Sequence, residues 1–291
     1  MEYQNSADNY AIYVDSFVLA LKVEGITPHT RSCYARDVLR LGERSGWISP
    51  VKINAPHIRN YIDWLSGRVK PSTAKIAQLA LRRFFKYLLA EQEIETDPTA
   101  KIKLPRVRAT PQPTYNINEI YQILGACDQT TWNGVRNKAI VTVLFDTGVR
   151  VGELVSMEIP DWANRTVEVN GKTGHRVVPL GETTIIQIHR YARRWGITEG
   201  KLWKGERGAI QTSGVFQMIR RICRKADVEF KGVHAFRRTA AAQMKRLGMN
   251  DSDILEVMGW KDITMLRHYT AAVATELAQA AHVRYSPADA L

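Results

Sequence analysis

Cysteine is scarce in this sequence, and long apolar runs are absent. The 291 residues include three cysteines, Cys33, Cys127 and Cys223, which are widely separated and lack the paired spacing of a zinc site. We expect them to be reduced packing residues, so neither a disulfide framework nor a zinc finger is predicted. The longest largely apolar run, from Ala139 to Phe145, is far shorter than the roughly 20 residues that span a bilayer.

Targeting signals and repeats are also missing. Residues Met1 to Asp8 contain neither the basic segment nor the apolar segment of a secretion signal, and we find no internal repeat or low-complexity tract. The hydrophobic fraction of 45% and the charged fraction of 24% are those of ordinary globular domains. We therefore expect a soluble, cytoplasmic protein with a packed core.

Acidic residues are too few to balance the basic ones. The sequence has 41 Lys and Arg against 29 Asp and Glu, which gives a formal net charge of +12. A pI near 9.7 favours a polyanionic partner. Nucleic acid is the first candidate, and an anionic membrane surface is the second.

The first hundred residues have the apolar periodicity of helices, with proline and glycine at the boundaries. Helices are predicted within 10–25, 27–41, 56–65 and 72–91. In the last of these, Lys75, Arg82 and Lys86 form a stripe separate from the apolar face. The stripe is either a solvated face or a surface that contacts phosphates.

Between Glu95 and Thr114 the periodicity stops, and proline and basic residues dominate, as in a linker. The sequence therefore predicts a helical domain over 1–97, a basic proline-rich linker over 98–114 and a second domain over 115–291. The basic residues of the linker can neutralise phosphates without reading bases. They are Lys101, Lys103, Arg106 and Arg108.

The second domain has a helical pattern interrupted by one β-like pair. The two strands are predicted at 165–169 and 176–180, with Asn170, Gly171 and Gly174 supplying the turn. Helices follow over about 183–195, 213–226, 234–247, 251–258 and 262–270, and a short tail helix over 273–281. The predicted fold class is mainly α with a small β-sheet.

Arg150 is oddly placed for a helix start, where a cation opposes the helix dipole. It follows Gly148, a predicted helix stop, and Glu153 one turn later can compensate its charge as a purely structural pair. Lys172 lies in the turn between the strands. A turn lysine is usually a solubility residue, although it can also project into a cleft.

His234 and Arg237 lie three residues apart at a helix start and therefore point to one side. Together with the helix N-terminus they can flank a phosphate, or they are a capping histidine and a surface arginine. Trp260 follows the glycine helix stop at Gly259, and Tyr269 ends a short helix nine residues later. Each aromatic residue also has an ordinary explanation as packing.

These residues, in this order and spacing, resemble the signature of the tyrosine recombinases, also called the phage-integrase family. The likeness covers most of the chain, including the box 147–154, the lysine-bearing hairpin, the HxxR helix and the segment from Gly-Trp to Tyr. The first domain and linker resemble the family's four-helix, SAM-like core-binding domain and its connector, so 115–291 would be the catalytic domain. The six signature residues are Arg150, Lys172, His234, Arg237, Trp260 and Tyr269.

Two departures refine the resemblance. Many family members have histidine where this chain has Trp260. An indole cannot exchange protons, so Trp260 cannot act as a general acid or base. We also expect no counterpart of the additional N-terminal DNA-binding module of the larger phage integrases. The sequence is therefore similar to simple members of the Xer or Cre kind.

The resemblance implies that DNA strands are cut and rejoined without metal, cofactor or ATP. Tyr269 would attack the phosphorus and hold a 3′-phosphotyrosyl bond, which the 5′ hydroxyl of another strand then resolves. Arg150 and Arg237 would clamp the phosphate through parallel donors, and Lys172 would protonate the leaving 5′ oxygen.

The remaining roles follow from the same resemblance. His234 would accept the tyrosyl proton or simply bond the phosphate. Trp260 would donate its indole N–H, and Glu153 would orient Arg150. The partner would be double-stranded DNA at an inverted-repeat core site, held between both domains. The tail face of Val273, Leu277 and Ala280 would link four subunits. Whether an accessory protein takes part is left open.

Two alternatives remain. A type IB topoisomerase uses very similar residues to nick and reseal one strand, and products with exchanged flanks would distinguish a recombinase from it. A catalytically silent DNA-binding protein of the same fold is the other.

Overall fold

The computed structural model describes residues 2–105, 112–171, 174–205, 208–271 and 273–291. The chain divides into two compact units, Met1–Ala109 and Thr110–Leu291. The limits of the linker at 98–114 stay a prediction, and Arg106 and Arg108 lie outside the described residues. Across the described ranges no helix has the length and apolar character needed to cross a membrane.

The first unit is built from helices, and its core comes from their apolar faces. Phe17 and Phe84 meet edge to face with ring centroids 5.3 Å apart. The side chain of Thr27 accepts the N–H of Thr30 at 3.4 Å, and Pro28 occupies the first turn, as the capping pattern predicts. The helices are α1 (Glu2–Val23), α2 (Pro28–Arg44), α3 (Ala55–Ser66) and α4 (Pro71–Ala90), with a 3-10 turn at Pro50–Lys52.

Helix α4 also holds the segment that follows it. The amide of Gln78 donates to the carbonyl of Lys103 at 3.1 Å, and the guanidinium of Arg82 donates to the carbonyl of Ile102. These bonds satisfy backbone carbonyls that have no partner in regular structure. Arg82, predicted to contact DNA, is therefore engaged in holding this segment.

The second unit surrounds one central helix. Its middle, the apolar run from Ala139 to Phe145, is buried on nearly all sides, because neighbouring helices pack around it. The mainly helical class with a small sheet is confirmed. The elements are α5 (Ile117–Gly125), the central α6 (Trp132–Thr147), α7 (Val151–Ser156), β1 (Thr166–Gly171), β2 (Gly174–Pro179), α8 (Glu182–Trp195), β3 (Lys204–Gly205), β4 (Gly208–Ala209), α9 (Thr212–Lys225), α10 (His234–Arg246), α11 (Asp251–Met258), α12 (Ile263–Thr270) and α13 (Ala274–Arg284), with a 3-10 turn at Ala288–Ala290.

Strands β1 and β2 form the antiparallel hairpin that the sequence predicts. Their register pairs Thr166 with Pro179 and Gly171 with Gly174. Alternate side chains of each strand face the core, as a period of two requires. The short strands β3 and β4 were not predicted, because two-residue strands leave no periodic signal.

The three cysteines carry free thiols. Cys127 and Cys223 are buried and Cys33 is partly buried. Burial raises the pKa of the Cys127 thiol to about 11, which keeps it protonated and unreactive at neutral pH.

Gly148 ends α6 in the left-handed conformation, with φ of 60°, and Gly196 ends α8 with φ of 61°. An added Cβ would meet Met258 Cε at 2.6 Å at Gly148 and nothing within 4 Å at Gly196. We expect Gly196→Ala to cost about 1–2 kcal/mol from backbone strain alone. Gly148→Ala should cost about 1–3 kcal/mol more from overpacking, because Met258 is fully buried and Ala240 Cβ lies 3.2 Å from the same position. Urea unfolding of both variants measures the difference, and equal losses would contradict the steric contribution.

Candidate active site

The site begins where α6 ends. Gly148 turns the chain, and Arg150 becomes the residue that precedes α7. The backbone N–H of Arg150 donates to Glu153 Oε2 at 2.8 Å, and its Nη1 donates to Oε1 at 2.8 Å. The predicted ion pair is therefore present, and it compensates a cation at a helix start.

A second arginine shares the same carboxylate. Nη1 and Nη2 of Arg176, on β2, donate to Oε1 and Oε2 of Glu153 at 2.8 and 3.0 Å. Sequence reasoning missed Arg176. Its signal was available, because Arg176 lies two residues before the buried Val178 and so faces the same side of the strand.

Glu153 is ionised although only 1% of it is exposed. Burial alone would raise the pKa of this carboxyl, but hydrogen bonds from Arg176 and Arg150 lower the pKa to about 2. The carboxylate therefore carries a full charge at neutral pH and holds two guanidinium groups in place.

Arg237 is buried on α10 and binds the ends of two other helices. Its Nη1 donates to the Gly148 carbonyl at 2.6 Å and its Nη2 to the Met258 carbonyl at 2.5 Å. Both carbonyls lie at helix C-termini, where intrahelical donors run out. The Nε of Arg237 has no hydrogen-bond partner among the described residues. Burial, and then the charge of Arg150, lower the pKa of Arg237 to about 10, so the group stays protonated at pH 7.

Tyr269 lies against His234 and Trp260. Its Oη is 2.5 Å from His234 Nε2, and its ring centroid is 4.8 Å from that of Trp260. The guanidinium carbon of Arg237 lies 5.0 Å from the centroid of the Trp260 ring. The buried indole N–H of Trp260 has no partner among the described residues. Asp262 starts α12, which carries Tyr269, by accepting the N–H of Thr264 at 2.8 Å.

His234 is neutral at pH 7. Partial burial of its ring, followed by the positive charges of Arg237, Arg238 and Arg150, lowers its pKa to about 4. A neutral imidazole can accept the phenolic proton of Tyr269, which an imidazolium cannot do.

The charge balance of this cluster favours an anion. Among its described residues, the guanidinium groups of Arg150 and Arg176 bind the carboxylate of Glu153, and Arg237 adds a third positive charge that this one carboxylate also influences. Two buried N–H donors, on Arg237 and Trp260, lack partners within the cluster. An acceptor that is negatively charged and has several oxygens, such as a phosphate, would satisfy both conditions.

The structure brings most of the predicted site residues into one connected cluster. Arg150 pairs with Glu153, while contacts link Arg237 to Trp260, Trp260 to Tyr269 and Tyr269 to His234. The charge of Arg150 acts on both Arg237 and His234, which connects the two groups. Lys172 lies outside the described residues. In the first unit, Lys86, Lys101 and Lys103 are exposed, Lys75 is half-buried and Arg82 is bound to Ile102.

The lowered pKa of His234 predicts a pH dependence of stability. The ordinary pKa is 6.5 and the folded one is about 4, so the unfolded chain takes up a proton that the folded site does not. Above pH 6.5 this effect is absent, and it grows as the pH falls towards 4. We expect His234→Gln to lose less in melting temperature between pH 7 and pH 4.5 than the unsubstituted protein does. His189→Gln, which removes an exposed histidine outside the site, is the control, and parallel curves for all three proteins would contradict the prediction.

Family models match both units of the chain. The model of the phage integrase family covers residues 115–276. The model described as phage integrase, N-terminal SAM-like domain covers residues 13–95. The first match alone spans more than half of the 291 residues.

Whole proteins and solved structures agree with these models. The chain is 28% identical over 293 residues to tyrosine recombinase XerD of Pseudomonas putida, which covers 94% of this chain and 97% of that protein. It is 27% identical to XerD of Vibrio cholerae over 281 residues, covering 90% and 92%. A crystal structure of a lambda integrase dimer bound to a COC' core site has the same fold, with a TM-score of 0.75 at 19% identity, covering 89% of this chain and 76% of that one.

The resemblance seen in the sequence is thus confirmed over both units. The chain belongs to the phage integrase family and is a tyrosine recombinase of the Xer type.

Proposed function

We propose that this recombinase cuts one strand of duplex DNA by attack of Tyr269 on a backbone phosphate and rejoins it to another strand. The observation that carries the proposal is the contact between the Tyr269 hydroxyl and His234 Nε2 at 2.5 Å. That contact lies beside buried cationic and N–H groups suited to a phosphate. A nucleophile, a proton acceptor and an anion-binding group are thus adjacent, which is what transesterification at phosphorus needs.

The steps follow from the positions of the groups. The phenolic proton of Tyr269 passes to His234, and the phenolate oxygen forms a bond to phosphorus as the bond to the 5′ oxygen breaks. Arg150 and Arg237 stabilise the charge that develops on the non-bridging oxygens. Lys172 gives a proton to the leaving 5′ oxygen.

Trp260 donates its indole N–H to the same phosphate and packs against the nucleophile. Glu153 keeps Arg150 oriented. The phosphotyrosyl ester conserves the energy of the original bond, so a second 5′ hydroxyl can reverse the reaction without nucleotide hydrolysis.

The wider DNA contacts belong to the same proposal. The exposed side chains of Lys86, Lys101 and Lys103, together with Lys75, would neutralise phosphates of an inverted-repeat site. Arg106 and Arg108 would add to them, and Arg82 would contribute only what its bond to Ile102 leaves available. A net charge of +12 supports salt-sensitive binding of this kind.

The nucleophile can be identified directly. A pool of nicked duplexes with randomised arms should trap the protein covalently, because the short 5′ fragment diffuses away after cleavage. Tryptic digestion should then place the nucleotide on peptide 268–284, which contains Tyr269. Attachment to another peptide, or recovery of bound but never covalently joined duplexes, would contradict the proposal. Products with exchanged flanks from the enriched site would distinguish strand exchange from nicking and resealing.

We also propose that the recombinase acts as a tetramer linked through its tail. Helix α13 has no buried side chain, and its bidentate ion pair between Arg246 and Glu276 is partly exposed. A solved structure of similar fold is a lambda integrase tetramer bound to a Holliday junction. These features support a tail that contacts a neighbouring protomer.

Removal of the tail tests this assembly. Deleting residues 274–291 retains the buried Val273 and should reduce synapsis of two sites by at least about tenfold, a change of about 1.4 kcal/mol. Binding of one protomer to a single half-site should change little. Gel mobility assays with one and two labelled duplexes measure both, and equal losses in both would argue against a linking tail.

A further inference from the structure

Arg176 joins three elements of the catalytic unit. It extends from β2 to the carboxylate of Glu153 on α7 with two hydrogen bonds of 2.8 and 3.0 Å. Its Nε also donates to the Val257 carbonyl at 3.4 Å, near the C-terminal end of α11. Arg176 thereby links the hairpin to the helix that carries Glu153 and to the helix that precedes Trp260.

The packing around these bonds is tight. A Cβ on Gly171 would lie 2.4 Å from Glu153 Oε1, and a Cβ on Gly259 would lie 2.9 Å from Arg176 Cδ. The end of β1 therefore lies close against the Glu153 carboxylate, and the end of α11 lies close against the Arg176 side chain, so a side chain at either glycine would displace them. The side chain of Arg176 is only 12% exposed, so these neighbours enclose most of it.

Loss of the Arg176 side chain would disturb the position of the hairpin more than it would disturb the position of Arg150. Arg150 keeps its own two bonds to Glu153, one from the backbone and one from Nη1. The hairpin would lose the hydrogen bonds that attach β2 to α7 and α11. The sequence between Gly171 and Gly174 is Lys172-Thr173, so the lysine assigned to the leaving-group proton belongs to this hairpin.

We propose that Arg176 is a positioning residue that fixes the β1–β2 hairpin on the catalytic cluster, so that the hairpin lysine can protonate the leaving 5′ oxygen. This inference rests on the proposed function. Arg176 itself need not touch the DNA. A bidentate guanidinium suits the task because its planar fork fixes orientation as well as distance, which a lysine cannot do.

The chemistry of the leaving group separates this role from a merely structural one. With an ordinary substrate, the bond from phosphorus to the 5′ oxygen breaks and the oxygen must take up a proton. With a 5′-bridging phosphorothiolate, the bond from phosphorus to sulfur breaks and the thiolate leaves without a proton. A defect confined to proton donation should therefore disappear on the sulfur substrate.

The test compares the rates of covalent adduct formation on nicked duplexes with oxygen or sulfur at the 5′ position. Arg176→Gln should lose about 10²-fold or more on oxygen, within the range that general acid catalysis contributes. It should come within about tenfold of the unsubstituted protein on sulfur, and Lys172→Ala should behave in the same way. Arg176→Lys should keep most of the defect, because it lacks the fork.

Arg136→Gln provides a matched control. Arg136 is also a buried arginine of this unit, and it donates to the Lys204 carbonyl at 2.8 Å, away from the cluster. Any loss there should be equal on oxygen and sulfur. Equal losses for Arg176→Gln on both substrates would overturn the inference. If the unsubstituted protein formed no adduct with either substrate, the proposed function itself would be at fault.

Discussion

Tyr269→Phe should abolish the covalent adduct with nicked duplex DNA while leaving DNA binding almost unchanged. The substitution removes one oxygen, which is the atom that would bond to phosphorus, and no other described residue of the cluster carries a hydroxyl group. The phenyl ring keeps its contact with the Trp260 ring, 4.8 Å between centroids, so α12 should stay in place. Denaturing gels measure the adduct, and mobility shifts measure the binding.

Tyr121→Phe is the appropriate control. Tyr121 is 67% exposed on α5, and its hydroxyl lies outside the cluster. This variant should form the adduct at the rate of the unsubstituted protein. An adduct that persists in Tyr269→Phe would show that the nucleophile lies elsewhere.

Glu153→Gln should destabilise the catalytic unit by about 3–5 kcal/mol, because it leaves two guanidinium groups without their shared carboxylate. Arg150 and Arg176 both bind this side chain, and Arg237 adds a third positive charge nearby. The pKa of about 2 for the Glu153 carboxyl also defines the pH range over which its ion pairs stabilise the fold. This stabilisation is fully present above about pH 4.5 and is lost as the pH falls towards 2.

Urea unfolding at pH 7 gives the free energy directly. Glu158→Gln is the matched control, because Glu158 also forms an ion pair, with Lys201, but both side chains are largely exposed. That substitution should cost about 0–1 kcal/mol. Similar losses in the two variants would mean that burial of the Glu153 carboxylate has little effect on stability.

Local signals in the sequence predicted the positions of most elements. Thr27 with Pro28 starts α2, Gly148 and Gly259 end α6 and α11, and the glycines of the hairpin turn separate β1 from β2. Each of these signals acts within a few residues, so the sequence contains it in full. The Arg150–Glu153 pair was predictable for the same reason, since both residues lie on one helical turn.

Contacts between distant residues could not be predicted in this way. Arg176 meets Glu153 across 23 positions and the Val257 carbonyl across 81. Arg82 falls on a basic stripe in the sequence, yet it binds a carbonyl 20 positions away. In each case the partner is defined by the packing of separate elements, and a helical wheel or strand pattern does not contain that information.

His234 and Tyr269 show both what the sequence contains and what only the fold provides. The sequence placed His234 at a helix start and Tyr269 at a helix end, but their separation of 2.5 Å depends on how α10 and α12 pack. The neutral state of His234 depends in turn on partial burial of its ring and on the charges of two arginines of α10 and of Arg150, which precedes α7. Order along the chain indicated the family, and only the folded arrangement indicates the protonation state.

The hydrogen bonds of Arg237 to two helix ends affect how inactive variants of this enzyme should be designed. The Arg237 side chain holds the ends of α6 and α11 through their carbonyls, and in the proposed mechanism it also binds the phosphate. Replacing Arg237 would remove hydrogen bonds from the ends of both helices. An inactive variant made there would therefore combine the loss of a proposed catalytic group with a loss of local stability. For capturing intact synaptic complexes, substitution of Tyr269 is preferable, because the hydrogen bonds of Arg237 to both helix ends are then retained.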